Sequence, residues 1–165
     1  MKQTPLLLIS LLMVLMGSMA CQVETMIPDD QTAPTDSTAL SNQPPDGRAT
    51  RSIRIRVGSR TFTATLLTNP TVTAFRARLP ITLSMIELNR NEKYADLLTP
   101  LPTNAVAPGT IQKGDLMLYQ TRTLVLFYET FPTTYRYTKL GRVDHPEELA
   151  TALGSGNVTV SFEPE

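Results

Sequence analysis

Few residues of this 165-residue chain have the types and spacings that chemistry needs. There is one cysteine, Cys21, and one histidine, His145, so a Ser-His-Asp triad would have to use His145. No G-x-S-x-G nucleophile elbow occurs. The run Asp144-His145-Pro146-Glu147-Glu148 gathers four groups able to ligate a metal. One histidine without a nearby cysteine is a thin donor set, and Asp144 with Glu147 three positions on reads as the capping box of a helix. Neither a metal nor a cofactor is expected. Gly154-Ser155-Gly156 reads as a helix stop and turn, because a phosphate loop needs a strand before it and a helix after it. Glu87, Glu92 and Asp96 could supply an acid pair, though acids in a polar loop are ordinarily just solvated. Arg48, Arg51, Arg54, Arg56 and Arg60 form a basic stretch in which only Arg54 and Arg56 share a strand face. That pattern guards a sheet edge. It lacks the interleaved aromatics of a nucleic-acid surface, and no nucleic acid is expected.

Cys21 is best understood from what precedes it. Lys2 is followed by the apolar run Leu6 to Met16, interrupted only by Ser10. This is the anatomy of a signal peptide over residues 1–20, and it is too short for a spanning helix of about 20 apolar residues. Ser18-Met19-Ala20 before Cys21 fits two readings: a lipobox, in which Ser18 replaces the usual Leu, or the small-x-small site of ordinary signal peptidase. Both cut before Cys21. A free thiol at the new N-terminus of an exported protein would be oxidisable, so lipid attachment at Cys21 is the expectation. Residues 21–50 then form a lipid-anchored tether with five acidic residues against Arg48 alone, no aromatic residue and no period. Such a segment buries too little apolar surface to offset its ordering entropy. The expected location is the cell envelope. In a cell with two membranes, Gln22 after the cysteine points to the outer membrane, facing the periplasm.

The elements that must position any site lie in residues 51–165, enough chain for one core. Thirteen Lys and Arg against ten Asp and Glu leave a mild positive charge there, which says little about partners. Period-two alternation dominates. Ile53, Ile55 and Val57 share one face, Gly58-Ser59 turns the chain, and Phe62, Ala64 and Leu66 return on that face. Asn69-Pro70 starts a short helix with Val72, Phe75 and Leu79 facing inward. ITLSMIEL reads as a strand, and Asn89 to Pro108 as a long polar loop. DLMLY and TLVLFYE, apolar on both sides, read as buried strands, TYRYTKLGRV as a strand pair or bend, DHPEELATALG as a second helix, and NVTVSFE as a last strand. The expected fold is mainly β: a closed barrel, which removes exposed edges, with two short helices.

The hairpin from Ile53, PGTIQKGDLMLY and LGRVDHPEELATALGSG, taken in order with the intervening segments, resemble the bacterial cyclophilin-like domain over Ile53 to Glu163. The resemblance implies an eight-stranded cyclophilin-type barrel with two helices, in a group of no assigned function. It does not imply cyclophilin activity, since the chain has no Trp and no Phe-His-Arg stretch. Prolyl isomerisation needs a slot for the ring and a donor aimed at the imide nitrogen. The best local donor is Arg136, between Tyr135 and Tyr137, yet on a strand those tyrosines face away from it. Tyr94, Asn104, Tyr119, Phe127 and Tyr135 would flank a ligand-binding groove if the barrel closes as in the family. The same aromatics could instead fill the barrel interior. The expected function is an exported, membrane-anchored module that binds a peptide or small ligand. The alternative is a divergent peptidyl-prolyl isomerase or envelope folding helper. Oligomeric state is not legible.

Overall fold

A computed structural model describes residues 51–165. Its centre is a closed barrel of eight antiparallel strands. β1 (Ser52–Val57) and β2 (Arg60–Leu66) form the expected hairpin, with Gly58 at φ +58° in the turn. α1 (Pro70–Arg76) follows, then β3 (Ile81–Leu88) and β4 (Glu92–Asp96). β5 (Thr110–Ile111) lies outside the barrel; β6 (Asp115–Tyr119) and β7 (Thr123–Phe127) return to it. β8 (Phe131–Pro132) pairs with β5 as a separate two-stranded sheet. β9 (Tyr137–Val143), α2 (Leu149–Leu153) and β10 (Val158–Pro164) complete the chain. Around the barrel the order is β1, β10, β3, β4, β7, β6, β9, β2. The mainly-β barrel with two short helices is therefore the architecture.

Alternation fixes the interior. Ile53, Ile55, Ala64, Leu66, Met85, Leu116, Leu118, Leu124, Leu126, Val160 and Phe162 all point inward and are buried. Asn69 caps α1, its side-chain oxygen accepting from the Val72 amide at 2.8 Å, with Pro70 in the first turn. The helix lays Val72 and Phe75 on the core, where the Phe75 ring meets Phe162 edge-on at 6.0 Å. The closing seam between β2 and β9 is short, and Gly141 makes it fit. A Cβ there would sit 2.3 Å from the Thr65 carbonyl oxygen.

DLMLY and TLVLF are apolar on both faces because both faces are covered. One lines the barrel. The other carries a second cluster of Ile111, Met117, Val125, Phe127 and Tyr137, partly roofed by Phe131 of the small sheet.

Three local expectations are corrected. The long loop from Asn89 contains β4: Asn89 and Arg90 adopt φ of +54° and +58°, a tight reversal that returns the chain as a strand. Its charged residues disguise the alternation, in which Lys93 and Ala95 are the buried set. TYRYTKLGRV supplies one strand, starting at Tyr137. The capping box does not form. α2 begins at Leu149 behind a turn at Pro146, and the Asp144 carboxylate instead accepts from the Thr65 hydroxyl at 2.7 Å. No helix among the described residues is long and apolar enough to cross a membrane. The expected signal peptide, the expected tether and Cys21 lie outside the described residues.

Candidate functional site

The strand β4 has two working faces. Lys93 and Ala95 point into the barrel; Glu92, Tyr94 and Asp96 point out. Register across β7 sets Tyr94 opposite Val125 and Asp96 opposite Thr123, whose hydroxyl donates to Asp96 Oδ1 at 2.6 Å. Tyr119 from β6 and Tyr137 from β9 extend the outer face. The chain around the small sheet, from Phe131 to Tyr135 with Gly109, forms the facing wall. A hydrogen bond from the Thr133 backbone amide to the Gly109 carbonyl at 2.8 Å holds it together. Between them lies a cleft of about 890 Å³, within the usual range of small-molecule sites.

Aromatic rings dominate this cleft. Tyr119 meets Tyr135 edge-on at 6.2 Å and Tyr137 at 5.6 Å. Behind them Phe127 contacts Tyr137 at 5.5 Å and Phe131 at 5.8 Å. Each ring fixes the next, so the lining is a packed set rather than separate mobile side chains. Tyr135, 63% exposed, stands at the rim. Four of the five tyrosines of the chain line the cleft.

The cleft's electrostatics are one-sided. Glu92 and Asp96 line it, and among the described residues no Lys, Arg or His does. Burial, aided by the nearby Glu87 charge, pushes the Glu92 carboxyl up to about 7. Burial also pushes the Tyr137 phenol up to about 12, with Glu92 next among the causes. Asn91, also in the lining, has a buried side-chain oxygen with no hydrogen-bond partner.

On the inner face the situation is reversed. The Lys93 side chain is fully buried, yet its ammonium pairs with Glu87 and donates to the carbonyls of Gly154 at 2.8 Å and Gly156 at 2.7 Å. It also lies 5.4 Å from the centre of the Tyr128 ring, and the Tyr128 hydroxyl donates to Glu87 at 2.8 Å. Burial works to raise the Glu87 carboxyl. The bonds from Lys93, Tyr128 and the Arg90 amide outweigh it and hold the group below its ordinary value.

The residues singled out from the sequence are distributed as follows. Tyr94, Tyr119 and Tyr135 line the cleft. Phe127 is fully buried behind it, in the outer aromatic cluster. Asn104 is not among the lining residues; its backbone N–H donates to the Thr138 hydroxyl at 3.0 Å. Arg136 also lies outside the lining, with its guanidinium donating to the Ala105 carbonyl at 2.7 Å. The three carboxylates do not assemble, since Glu87 faces inward while Glu92 and Asp96 face the cleft. In the DHPEE run, Glu148 pairs with Arg60 at 3.0 Å, and no group of three His, Cys, Asp or Glu able to hold a metal occurs among the described residues. Arg54 and Arg56 both pair with Glu163 at 3.7 Å. Glu92, Asn91, Phe131 and Tyr137 were missed as a group. The signal was the period-two triplet Glu92, Tyr94, Asp96, hidden by the reading of this segment as loop.

Comparison with known proteins agrees with this architecture. Residues 55–163 match the model of a family described as the cyclophilin-like family. The solution structure of a hypothetical protein from Archaeoglobus fulgidus is similar at a TM-score of 0.53 and 18% identity, over 71% of this chain and 96% of that one, which is a likeness of fold. No curated protein matches the chain.

Proposed function

The chain belongs to the cyclophilin-like family, and from that premise we propose that it is a binding module, exported and held at a membrane, that takes a small ligand or a short extended peptide in the tyrosine-lined cleft. The observation that carries this reading is the cleft itself: about 890 Å³ of open space on the outer barrel face, walled by packed aromatic rings and edged by a few polar groups. That is the composition of ligand sites, in which apolar walls supply affinity and sparse polar groups supply orientation. An ordinary barrel exterior would present solvated side chains there.

The catalytic alternative has less support. Prolyl isomerisation must lower a barrier of about 18–20 kcal/mol, and its chemistry calls for a donor at the imide nitrogen. The cleft lining holds no Lys, Arg or His among the described residues, and Arg136 is occupied with Ala105. In a protease-coupled proline assay at high enzyme concentration, the full chain should show no turnover above the uncatalysed rate. Turnover that disappears with Arg136→Ala would overturn the binding-module reading in favour of catalysis.

Export and anchoring rest on Lys2, the apolar run Leu6 to Met16, and Ser18-Met19-Ala20 before Cys21. Mass spectrometry of the mature N-terminus should find Cys21 carrying acyl chains. An unmodified Cys21 would make the mature protein freely soluble. Ligand binding is tested by a fragment screen followed by amide NMR shifts. Fragments should move the amides of Tyr94, Val125 and Tyr137, and Leu88→Arg, which places a long side chain in the lining, should abolish those shifts. Binders that move amides elsewhere, or no binders at all, would refute the cleft as the site.

A further inference from the structure

We infer that the ligand of this cleft is a small organic cation, a soluble alkylated ammonium compound held against the tyrosine faces and countered by Glu92 and Asp96. The inference rests on the binding reading above and narrows it to a chemical class. Two features of the site point the same way.

The first is the wall. Tyr94, Tyr119, Tyr135 and Tyr137 all line one space, with Tyr119 in ring contact with both Tyr135 and Tyr137. The faces of tyrosine rings carry negative electrostatic potential, and a space lined by several tyrosines suits a cation whose charge is spread over alkyl groups. An apolar ligand alone would be served as well by Leu or Phe. The second is the charge balance. Two carboxylates edge the cleft, and no cationic side chain among the described residues lines it to neutralise them. Several basic residues of the barrel are committed elsewhere: Arg54 and Arg56 to Glu163, Lys139 and Arg142 to Asp115, Lys93 to Glu87. An anionic ligand would meet repulsion, whereas a cation completes the site.

The counter-ion role makes binding sensitive to pH. The titrating or charged groups around Glu92 are Glu87 on β3, near in space but turned to the inner face, Arg90 in the connecting turn, Tyr94 and Asp96 on its own strand, Tyr119 on β6 and Tyr137 on β9. β7 presents Thr123, Val125 and Phe127, and the small sheet presents Phe131 and Pro132, so neither adds a titrating group. Lys93 is held by Glu87 on the inner face. A cation in the cleft favours ionised Glu92, so affinity rises as Glu92 loses its proton near neutral pH.

Choline and its uncharged isostere 3,3-dimethylbutan-1-ol test the charge at constant shape. Amide NMR gives the dissociation constants for the full chain, and tyrosine emission is a second readout, since the chain has no Trp. Choline should shift the cleft amides and bind about tenfold more tightly than the alcohol. Its affinity should rise severalfold, by at most about tenfold, between pH 6 and pH 8. Glu92→Gln, which keeps shape, should remove that pH dependence. Leu88→Lys puts an ammonium on the residue paired with Glu92 in the hairpin, and should displace choline from a folded protein. If the alcohol binds the cleft as well as choline does, the cation inference fails while the binding module stands. If neither binds at tens of millimolar, the cation inference is overturned, and the fragment screen above decides the fate of the cleft separately.

Discussion

Glu92 and Lys93 are neighbours on β4, and each puts an ionisable group into a protected place, but the protein treats them in opposite ways. On the inner face, Lys93 is fully buried and fully partnered: one carboxylate, two backbone carbonyls and an aromatic ring surround its ammonium. On the outer face, Glu92 is half-buried beside another negative charge, and Asn91 next to it keeps an unpaired oxygen. A buried charge with every bond made is architecture, because nothing is left for a ligand to supply. A buried charge left short of partners costs stability, and a protein retains it where a ligand can complete it. The two faces of one strand thereby separate what holds the fold from what the fold presents.

The largest expected effect is on the inner face. Lys93→Met keeps the apolar stem and removes the ammonium, leaving the Glu87 carboxylate and the carbonyls of Gly154 and Gly156 without their donor. Breaking one side of such a buried pair costs about 3–5 kcal/mol, which for a domain of this size lowers Tm on the order of 10–20 °C. Denaturant titration measures it. Lys93→Met with Glu87→Met should recover part of the loss, because no charge is then stranded. A single-variant loss below about 1 kcal/mol would mean that the inner network is not structural, and the contrast between the faces would collapse.

The two glutamates of the hairpin sharpen the contrast by titrating in opposite senses. Glu87 is held below its ordinary value, so its contribution is present above pH 4.5 and is lost as pH falls through the lowered value. Glu92 is raised from 4.5 to about 7. Between those values the native state binds more protons than the unfolded chain, so stability declines as pH rises and the full cost is felt above about 7. With solvent screening at this half-open site, that cost is about 1–2 kcal/mol. Glu92→Gln should therefore be more stable than the parent by that amount at pH 8 and equal to it at pH 4. Equal stability at both pH values would show that Glu92 is solvated like any surface acid.

How much of this was legible in the sequence follows the same division. On β1 and β2 the barrel-facing positions are apolar in alternation, so Ile53, Ile55, Ala64 and Leu66 announce themselves, as do the Asn69-Pro70 helix start and the Phe75 that the helix turns inward. β4 does not. One of its two inward residues is a lysine, and a buried lysine is indistinguishable in sequence from a solvated one until Glu87, Gly154 and Gly156, up to 63 positions away, are brought to it. The Asp144 cap failed for a related reason: Thr65, on a strand far off in sequence, offers the carboxylate a bond that the local helix cannot outbid. Tyr94, Tyr119 and Tyr135 could be picked as aromatics near a groove. That Phe127 supports the cleft from behind while Tyr137 lines it depends on the small β5–β8 sheet, two residues per strand, too short for any periodicity to reveal.

The smallest effect on stability, and the one most specific to the outer face, belongs to Tyr135. It is mostly exposed and touches Tyr119 edge-on at the rim, so it contributes little to the core. Tyr135→Ala should change stability by less than about 1 kcal/mol. It should nevertheless weaken binding of choline roughly three- to tenfold, since one of the ring faces is gone. Tyr135→Phe retains the face and should bind close to the parent, whereas a hydrogen-bonding role for the phenol would make Phe as poor as Ala. A Tyr135→Ala protein that binds choline undiminished would confine the site to the deeper rings, Tyr119 and Tyr137, and would leave the exposed rim as ordinary surface.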